Sequence, residues 1–344
     1  MTAPLGVAVI GTGSIANAHL YTYQRAERAH LVAVVDVDET RAADAAKRFG
    51  ADRVHTDYHD VLAANDVQTV SICTPPFLHV EMAVAALNAG KHVLCEKPVA
   101  PTLAGLDVIA AAEAASGATF SGVFQLRCGR GARQVRRLLD EGHFGNLHLG
   151  IAETLWFRDH DYYDVPWRGT WEQECGGVTV SQAIHVIDAL IWFLGEPVSV
   201  YAQAGTFRTR TEIDDTTVAI IRFANGAIGQ VTSTVSAFGP ERARLEVYGT
   251  DLTAVSQGSA YDATSELFSL GAPDQAQADA LAQRMEAEIP APSRMLHRPA
   301  IEHFLAALQE GRRPEIGIDE CRTALQVTTA IYKSAMTGEV VRLK

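Results

Sequence analysis

No two cysteines stand in a CxxC pair. The five present, Cys73, Cys95, Cys128, Cys175 and Cys321, are an odd number spread through 344 residues. A disulfide framework uses an even set and a cysteine zinc site uses close pairs, so neither is indicated; reduced, buried thiols are expected. Apolar runs long enough to suggest a membrane span, ~18 residues, are missing. Basic charge is in short supply: 29 Lys plus Arg against 41 Asp plus Glu leave a net charge of −12. Such a surface repels phosphate backbones and anionic membranes, which argues against nucleic-acid and membrane partners but leaves room for one local anion pocket. The opening MTAPLGVAVIG has no charged leader region and runs straight into strand-like residues, which points to the cytoplasm. Internal repeats and low-complexity tracts are lacking too.

Hydrophobic residues make up 47% and charged residues 20%, enough for a sizeable core, and the length suits two domains. Short apolar runs at Leu5–Ile10, Leu31–Asp36, Thr69–Cys73, His92–Glu96 and Thr119–Gly122 alternate with Ala-rich stretches of helical spacing, such as Ala83, Ala86, Leu87 and Gly90. That βαβ rhythm predicts a parallel sheet covered on both faces with right-handed crossovers. After about residue 123 the rhythm changes. Helices are expected at Gln134–Glu141 and, unbroken, from Val178 to Leu194. Strands follow at Thr217–Phe223 and Ile228–Ser236 around the hairpin dipeptide Asn225-Gly226, then at Glu246–Tyr248 and near Thr253. Residues 271–299 read as a loop or exposed helix, and Pro299–Gln309 and Asp319–Lys333 as closing helices. The expected division is an α/β Rossmann domain over 1–122 and an α+β domain over 123–344.

Gly11-Thr12-Gly13-Ser14-Ile15-Ala16 follows the first strand and opens a helix. In this G-x-G-x-x-A pattern the first glycine permits a tight turn, the second lets backbone approach a pyrophosphate, and the small sixth residue lets helix and strand pack closely. Asp36 ends the second strand, where a carboxylate accepts the adenosine ribose hydroxyls and repels a 2′-phosphate. Arg41, the first basic residue after it, stands several positions on, so NAD is favoured over NADP.

Lys97, in Glu96-Lys97-Pro98 at the end of the His92–Glu96 strand, sits where ligands of open α/β sheets bind. There it can hold a hydroxyl or carbonyl oxygen and relay its proton. On the expected Val178–Leu194 helix, Ser181, His185 and Asp188 fall on one stripe, and His185 has the pKa range of a general base. No cluster with metal-ligand spacing accompanies His185 and Asp188, so no metal is expected.

These elements, namely Gly11–Ala16, Asp36, Cys73-Thr74-Pro75-Pro76 with His79, Glu96-Lys97-Pro98 and the Gly176–Asp188 segment, resemble the glucose–fructose oxidoreductase/inositol dehydrogenase/rhizopine-catabolism (Gfo/Idh/MocA) family over almost the whole chain. The resemblance implies a Rossmann domain followed by a domain built on a large, open, mainly antiparallel sheet that commonly serves homodimer or homotetramer contacts. It implies that Lys97 touches the nicotinamide ribose and the reacting hydroxyl, and that His185 is the acid/base. Gly11, Thr12, Gly13, Ser14, Ile15, Thr74, Pro75, His79 and Glu96 would line the cofactor. Tyr162-Tyr163 and Trp167-Arg168-Gly169-Thr170-Trp171 resemble the sugar-dehydrogenase branch, with Trp167 and Arg168 near the cofactor and Tyr163 near the substrate. Gln125, Arg127, Arg158 and Gln182 are further substrate candidates. Two positions depart from the family: Ser181 stands where many members have Asp, and Cys175-Gly176-Gly177 where many have three glycines. The implied activity is hydride transfer between NAD and a secondary hydroxyl of a sugar, glycoside or cyclitol. An NADPH-dependent keto-sugar reductase and a non-catalytic dinucleotide-sensing regulator stay open beside it; Asp36 argues against the first, and the presence of both Lys97 and His185 against the second.

Overall fold

A computed structural model of the protein describes residues 3–258, 267–289 and 295–343. The chain forms two compact units: one comprises the chain up to Phe124 with His297–Arg322, the other Gln125–Leu296 with Thr323–Lys344. Among the described residues, no helix is long and apolar enough to cross a membrane.

The first unit is built on six parallel strands, β1 (Leu5–Ile10), β2 (Ala29–Val35), β3 (Arg53–His55), β4 (Thr69–Ile72), β5 (His92–Cys95) and β6 (Phe120–Gly122), in the order β3-β2-β1-β4-β5-β6. Strand order reverses between β1 and β4, the switch point of a doubly wound sheet. The sequence runs predict β1, β2, β4, β5 and β6 to within a residue or two. The three-residue β3 has no apolar run to announce it. Strands β1, β2, β4 and β5 are buried almost throughout, as strands covered on both faces must be. Ile301, Phe304 and Leu305 of the helix His297–Gln309 join Leu20, Tyr23 and Val34 in one core cluster. Residues 297–322 therefore belong with the N-terminal unit, unlike the expected division, in which everything after 122 forms one domain. Burial of that apolar helix face draws the late segment back.

The second unit carries β7 (Leu147–Leu155), β8 (Pro197–Gly205), β9 (Thr216–Phe223), β10 (Ile228–Thr234), β11 (Arg242–Gly249), β12 (Thr253–Gly258), β13 (Leu267–Gly271) and β14 (Val341–Arg342), ordered β13-β12-β11-β7-β10-β9-β8-β14. Every neighbouring pair is antiparallel except β7 with β10. The Asn225-Gly226 hairpin joins β9 and β10: Gly226 has φ +89°, and the Asn225 carboxamide accepts from the Ala227 amide while donating to the Leu194 carbonyl. One sheet face packs on the helices Arg130–Asp140 and Ile184–Leu194. Residues 271–299, read as a loop or exposed helix, contain the helix Gln275–Glu288, whose Ala278 and Met285 are fully buried in that core; residues 290–294 lie outside the described range.

The helix expected from Val178 to Leu194 is two helices, Val178–Ser181 and Ile184–Leu194. Gln182 leaves helical geometry (φ −126°), and the Ala183 amide reaches back five residues to the Val178 carbonyl. The cause is Asp214. Its carboxylate accepts from the Gly177 and Thr179 amides and from the Thr179, Thr217 and Tyr332 hydroxyls. These bonds hold the first turn against β9, and the β-branched Val178-Thr179-Val180 has little intrinsic helix preference with which to resist. Gly177 is obligatory here: an added Cβ would lie 1.9 Å from the Asp214 carbonyl oxygen.

Replacing Asp214 by alanine would orphan several buried donors at 1–3 kcal/mol apiece. We predict that Asp214→Ala lowers the unfolding free energy by about 3 kcal/mol or more, measured by urea denaturation. A loss below about 1 kcal/mol would show that the turn is held by other means.

Candidate active site

Strand register builds the first half of the site. Ile10 pairs with Val35 on one side and Ile72 on the other, and Ile72 pairs with Cys95. The next residue of each strand, Gly11, Asp36, Cys73 and Glu96, therefore stands in one row at the carboxyl edge of the sheet. Gly11 has φ +89°, and a Cβ there would come within 2.8–2.9 Å of Cys73 and Thr74 backbone atoms, so only glycine lets the first turn approach β4 this closely. A Cβ on Gly13 would meet nothing within 4 Å, and the following helix Ala16–Tyr23 has no acidic residue in its first turn. An open backbone ahead of an uncompensated helix start fits a pyrophosphate.

Asp36 is nearly buried and surrounded by donors. Its Oδ2 accepts from the Thr12 amide (2.9 Å) and Thr12 hydroxyl (2.7 Å), its Oδ1 from the Asp38 amide (3.0 Å) and the Arg41 guanidinium (2.9 Å). Burial opposes ionisation, but the Asp38 and Thr12 hydrogen bonds and the Arg41 charge outweigh it and hold the carboxyl below its usual range. This corrects the expectation that Arg41, several positions on, stands apart from Asp36. Arg41 lies five residues on, but Asp38 caps the helix Glu39–Phe49 through the Arg41 amide, and that first turn brings the guanidinium back to the strand end.

Glu96 is buried beneath the Lys97 turn. Its Oε1 lies 3.0 Å from His19 Nε2 and 3.5 Å from His297 Nε2, and its Oε2 accepts from the Lys97 amide (3.2 Å). Tyr23 and His19 Nδ1 both contact the Ser71 hydroxyl, at 2.5 and 3.1 Å. Burial, against the pull of Glu96, lowers the His19 pKa. A neutral His19 then completes a consistent chain of donation: Tyr23 to Ser71, Ser71 to His19 Nδ1, His19 Nε2–H to Glu96. Burial alone would raise the Glu96 pKa, but the two histidines reverse it and hold the group well below 4.5. Beyond Lys97, His79 Nδ1 lies 2.7 Å from the Pro98 carbonyl and its Nε2 2.9 Å from the Thr74 carbonyl. His79, expected to line the cofactor, braces the Thr74-Pro75 and Lys97-Pro98 turns against each other. His297 was missed because it lies far from every motif in sequence; His19, one helical turn after Ala16, carried only a positional hint.

In the second unit, Gln125 Nε2 lies 3.2 Å from His185 Nε2, so the carboxamide faces that imidazole nitrogen. The helix break takes Ser181 off the stripe expected for Ser181, His185 and Asp188, the last two of which share the helix Ile184–Leu194; the Ser181 hydroxyl donates to the Gly177 carbonyl of its own turn (2.8 Å). Cys175 adopts φ +67°, a conformation glycine takes without strain, which explains why glycine suits that position. Arg127, a substrate candidate, forms a buried two-pronged pair with Asp188, both bonds 2.7 Å. Arg158 is ion-paired with Glu241 and covers the Trp156 and Tyr162 rings. Arg168 lies between the Trp167 and Tyr162 rings, bonded to the Tyr162 hydroxyl and to the buried Glu174 (3.0 Å). Gln182 Nε2 donates to the same Tyr162 hydroxyl (2.8 Å). The neighbouring Tyr163 is part-buried, which pushes its phenol pKa up. Glu174, which fixes this loop, was not singled out from the sequence, and Tyr162 was quoted there without a role. Among the described residues no group of three His, Cys, Asp or Glu could hold a metal ion.

Glu96 sets an acid limit. Its folded pKa lies below the ordinary 4.5, so its contribution to stability is full above that value and is lost as pH falls through the folded pKa. We predict that Glu96→Gln lowers the urea midpoint at neutral pH and flattens the fall in stability below pH 4.5; wild-type and variant curves that run parallel through that range would exclude the role.

Residues 5–124 match the family model described as "Oxidoreductase family, NAD-binding Rossmann fold", and residues 132–255 match "GFO/IDH/MocA C-terminal domain". The chain is similar to a myo-inositol 2-dehydrogenase of Thermotoga maritima, 28% identical over 71% of this chain and 72% of that one. It is similar along nearly its whole length to a D-glucoside 3-dehydrogenase of Escherichia coli, at 26% identity over 99% and 98% of the two chains. The WlbA dehydrogenase of Bordetella pertussis, solved with NADH and UDP-GlcNAcA, superposes with a TM-score of 0.87 at 27% identity, covering 100% of this chain and 99% of that one. With both of its characteristic domains matched in order, the chain belongs to the GFO/IDH/MocA oxidoreductase family.

Proposed function

We propose that the protein oxidises a secondary hydroxyl of a sugar, glycoside or cyclitol, with NAD as hydride acceptor. The observation that carries the reading is the row Gly11, Asp36, Cys73 and Glu96 at the carboxyl edge of the parallel sheet, with Lys97 next to it. Ligands of open α/β sheets bind at that edge. Relatives named for oxidation of inositol and glucoside carbons support the substrate class.

When bound, NAD supplies the hydride acceptor; the protein supplies orientation and proton handling. The Gly11–Ile15 turn holds the pyrophosphate and Asp36 the adenosine ribose, while Thr74, Pro75, Glu96, Trp167 and Arg168 complete the cofactor side. Lys97, its backbone fixed through Glu96, holds the reacting hydroxyl and helps to take its proton. His185 accepts that proton at Nε2, the nitrogen that Gln125 now faces, so Gln125 swings from imidazole to substrate. Tyr163 and Gln182 orient the sugar ring. Arg127 and Arg158 act one step back, by fixing the helix of Asp188 and the Tyr162 ring. Five cysteines, none bonded to another, suit a reducing compartment such as the cytoplasm.

Nicotinamide absorbance, followed with NAD while inositols, monosaccharides and glycosides are supplied, tests the reading. We predict that Lys97→Ala abolishes turnover while NAD still binds, and that His185→Ala lowers kcat by roughly 10²–10⁴-fold. Near-native turnover in His185→Ala with an unchanged pH profile would reduce the histidine to a structural residue.

The sheet of the second unit also has an uncovered face. Tyr201, Val218 and Ile220 are 39%, 46% and 50% exposed, and Tyr201 and Ile220 are direct cross-strand partners. An apolar patch of this kind is an interaction site, and a second copy of the chain is its occupant, giving a homodimer or homotetramer. Ile220→Glu should shift the sedimentation-equilibrium mass toward the monomer; a wild type that is monomeric at micromolar concentration would sink the assembly.

A further inference from the structure

A carboxylate offers about four acceptor positions, and at Asp36 four donors already face them. Oδ2 takes the Thr12 amide and hydroxyl; Oδ1 takes the Asp38 amide and the Arg41 guanidinium. An adenosine ribose presents two adjacent hydroxyls, and gripping both uses two of those positions. Some donor must leave. The amides are fixed by the backbone, one in the turn after Gly11 and the other at the start of the Glu39–Phe49 helix. The Thr12 hydroxyl can rotate away. Arg41 is the most easily displaced: its side chain is 57% exposed on a flexible stem, and Asp38 Oδ2, 3.3 Å from its Nε, keeps it paired after it lets Asp36 go.

We propose that Arg41 is a built-in competitor for the adenosine ribose and thereby the residue that narrows discrimination between NAD and NADP. The proposal rests on the NAD-binding reading of this edge. Two consequences follow, with opposite signs. For NAD, Arg41 must be moved aside before the ribose diol can take Oδ1, so it weakens binding. For NADP, a 2′-phosphate enters a neighbourhood that holds the carboxylates of Asp36 and Asp38. Arg41 is the cation set among them, and its charge offsets part of their repulsion. A purely structural arginine, steadying the helix start, would move both affinities the same way.

The dissociation constants of NAD and of NADP, measured by calorimetry on the full chain for wild type, Arg41→Ala and Arg41→Lys, test this. Arg41→Ala should bind NAD about two- to five-fold more tightly, the scale of one half-exposed ion pair, and NADP more weakly by at least as much. Arg41→Lys keeps the charge and should keep NADP binding near the wild-type value. Circular dichroism confirms folding, and the Asp38–Arg41 amide cap survives both substitutions because it uses backbone. Affinities that shift in the same direction, or that do not shift while wild type binds NAD, would overturn the role of Arg41. A folded wild type that binds neither cofactor would overturn the functional reading itself, and this proposal with it.

Discussion

The register of the parallel sheet is the constraint on which the rest of the first unit depends. Amides of Gly11, Asp36, Cys73 and Glu96 each donate to the neighbouring strand, to the carbonyls of Val35, His55, Ile10 and Ile72. These bonds hold four loops at one level. A slip of one residue would move a strand end by about 3.3 Å and turn its side chains to the opposite face. Asp36 would then lose Thr12, and Glu96 would lose His19. Burial on both faces makes such a slip prohibitive, because each core side chain would have to change sides. The packing of Val7, Val9, Leu31 and Val34 is thus what aims Asp36 and Lys97.

Charge inside the molecule is handled by crowding donors around each carboxylate. Asp214 and Asp215 show how two adjacent residues divide such work. Successive side chains entering a strand point to opposite sides, so Asp214 reaches the turn at Gly177, and Asp215 gathers the amides of Phe207, Arg208 and Thr209. Burial would raise the Asp215 pKa, but those amides with the Thr216 hydroxyl bring it below the ordinary value. Arg127 with Asp188 and Arg168 with Glu174 are the paired version of the same solution. A buried pair adds little net stability, and breaking one partner is costly; its contribution is a fixed geometry for the elements that bear His185 and Trp167.

What the sequence made legible was whatever its local pattern determines. Strands β1, β2 and β5 stand out because burial on two faces leaves largely apolar runs, β4 because small and β-branched residues lead into Cys73, and the β9–β10 hairpin because Asn-Gly tolerates positive φ. The Gly11 turn was readable for the same reason, and Lys97 from its place at a strand end. Illegible features depend on partners distant in the chain. The helix break at Gln182 is imposed by Asp214, more than thirty residues on, so periodicity through Ile184, Ile187 and Ile191 reads as continuous. Residues 297–322 look like any amphipathic closing segment until Ile301 and Phe304 meet Leu20. Arg41 misled for a subtler reason: five residues is far along an extended chain but close across a strand-to-helix turn.

Lys97 shows how distant partners combine at one residue. Its amide is tied to Glu96, and Glu96 is tied through His19 to Ser71 and Tyr23. On the other side, the Pro98 carbonyl is tied to His79. Two carbonyl oxygens face the His79 ring, and a neutral imidazole has only one N–H. Burial lowers the His79 pKa despite those carbonyls and the Glu96 charge, so at neutral pH the ring is neutral and one carbonyl faces a lone pair. Both His19 and His79 therefore act in their uncharged forms, packed against the turn that contains Lys97. The charge on Glu96 is engaged by His19, His297 and a backbone amide.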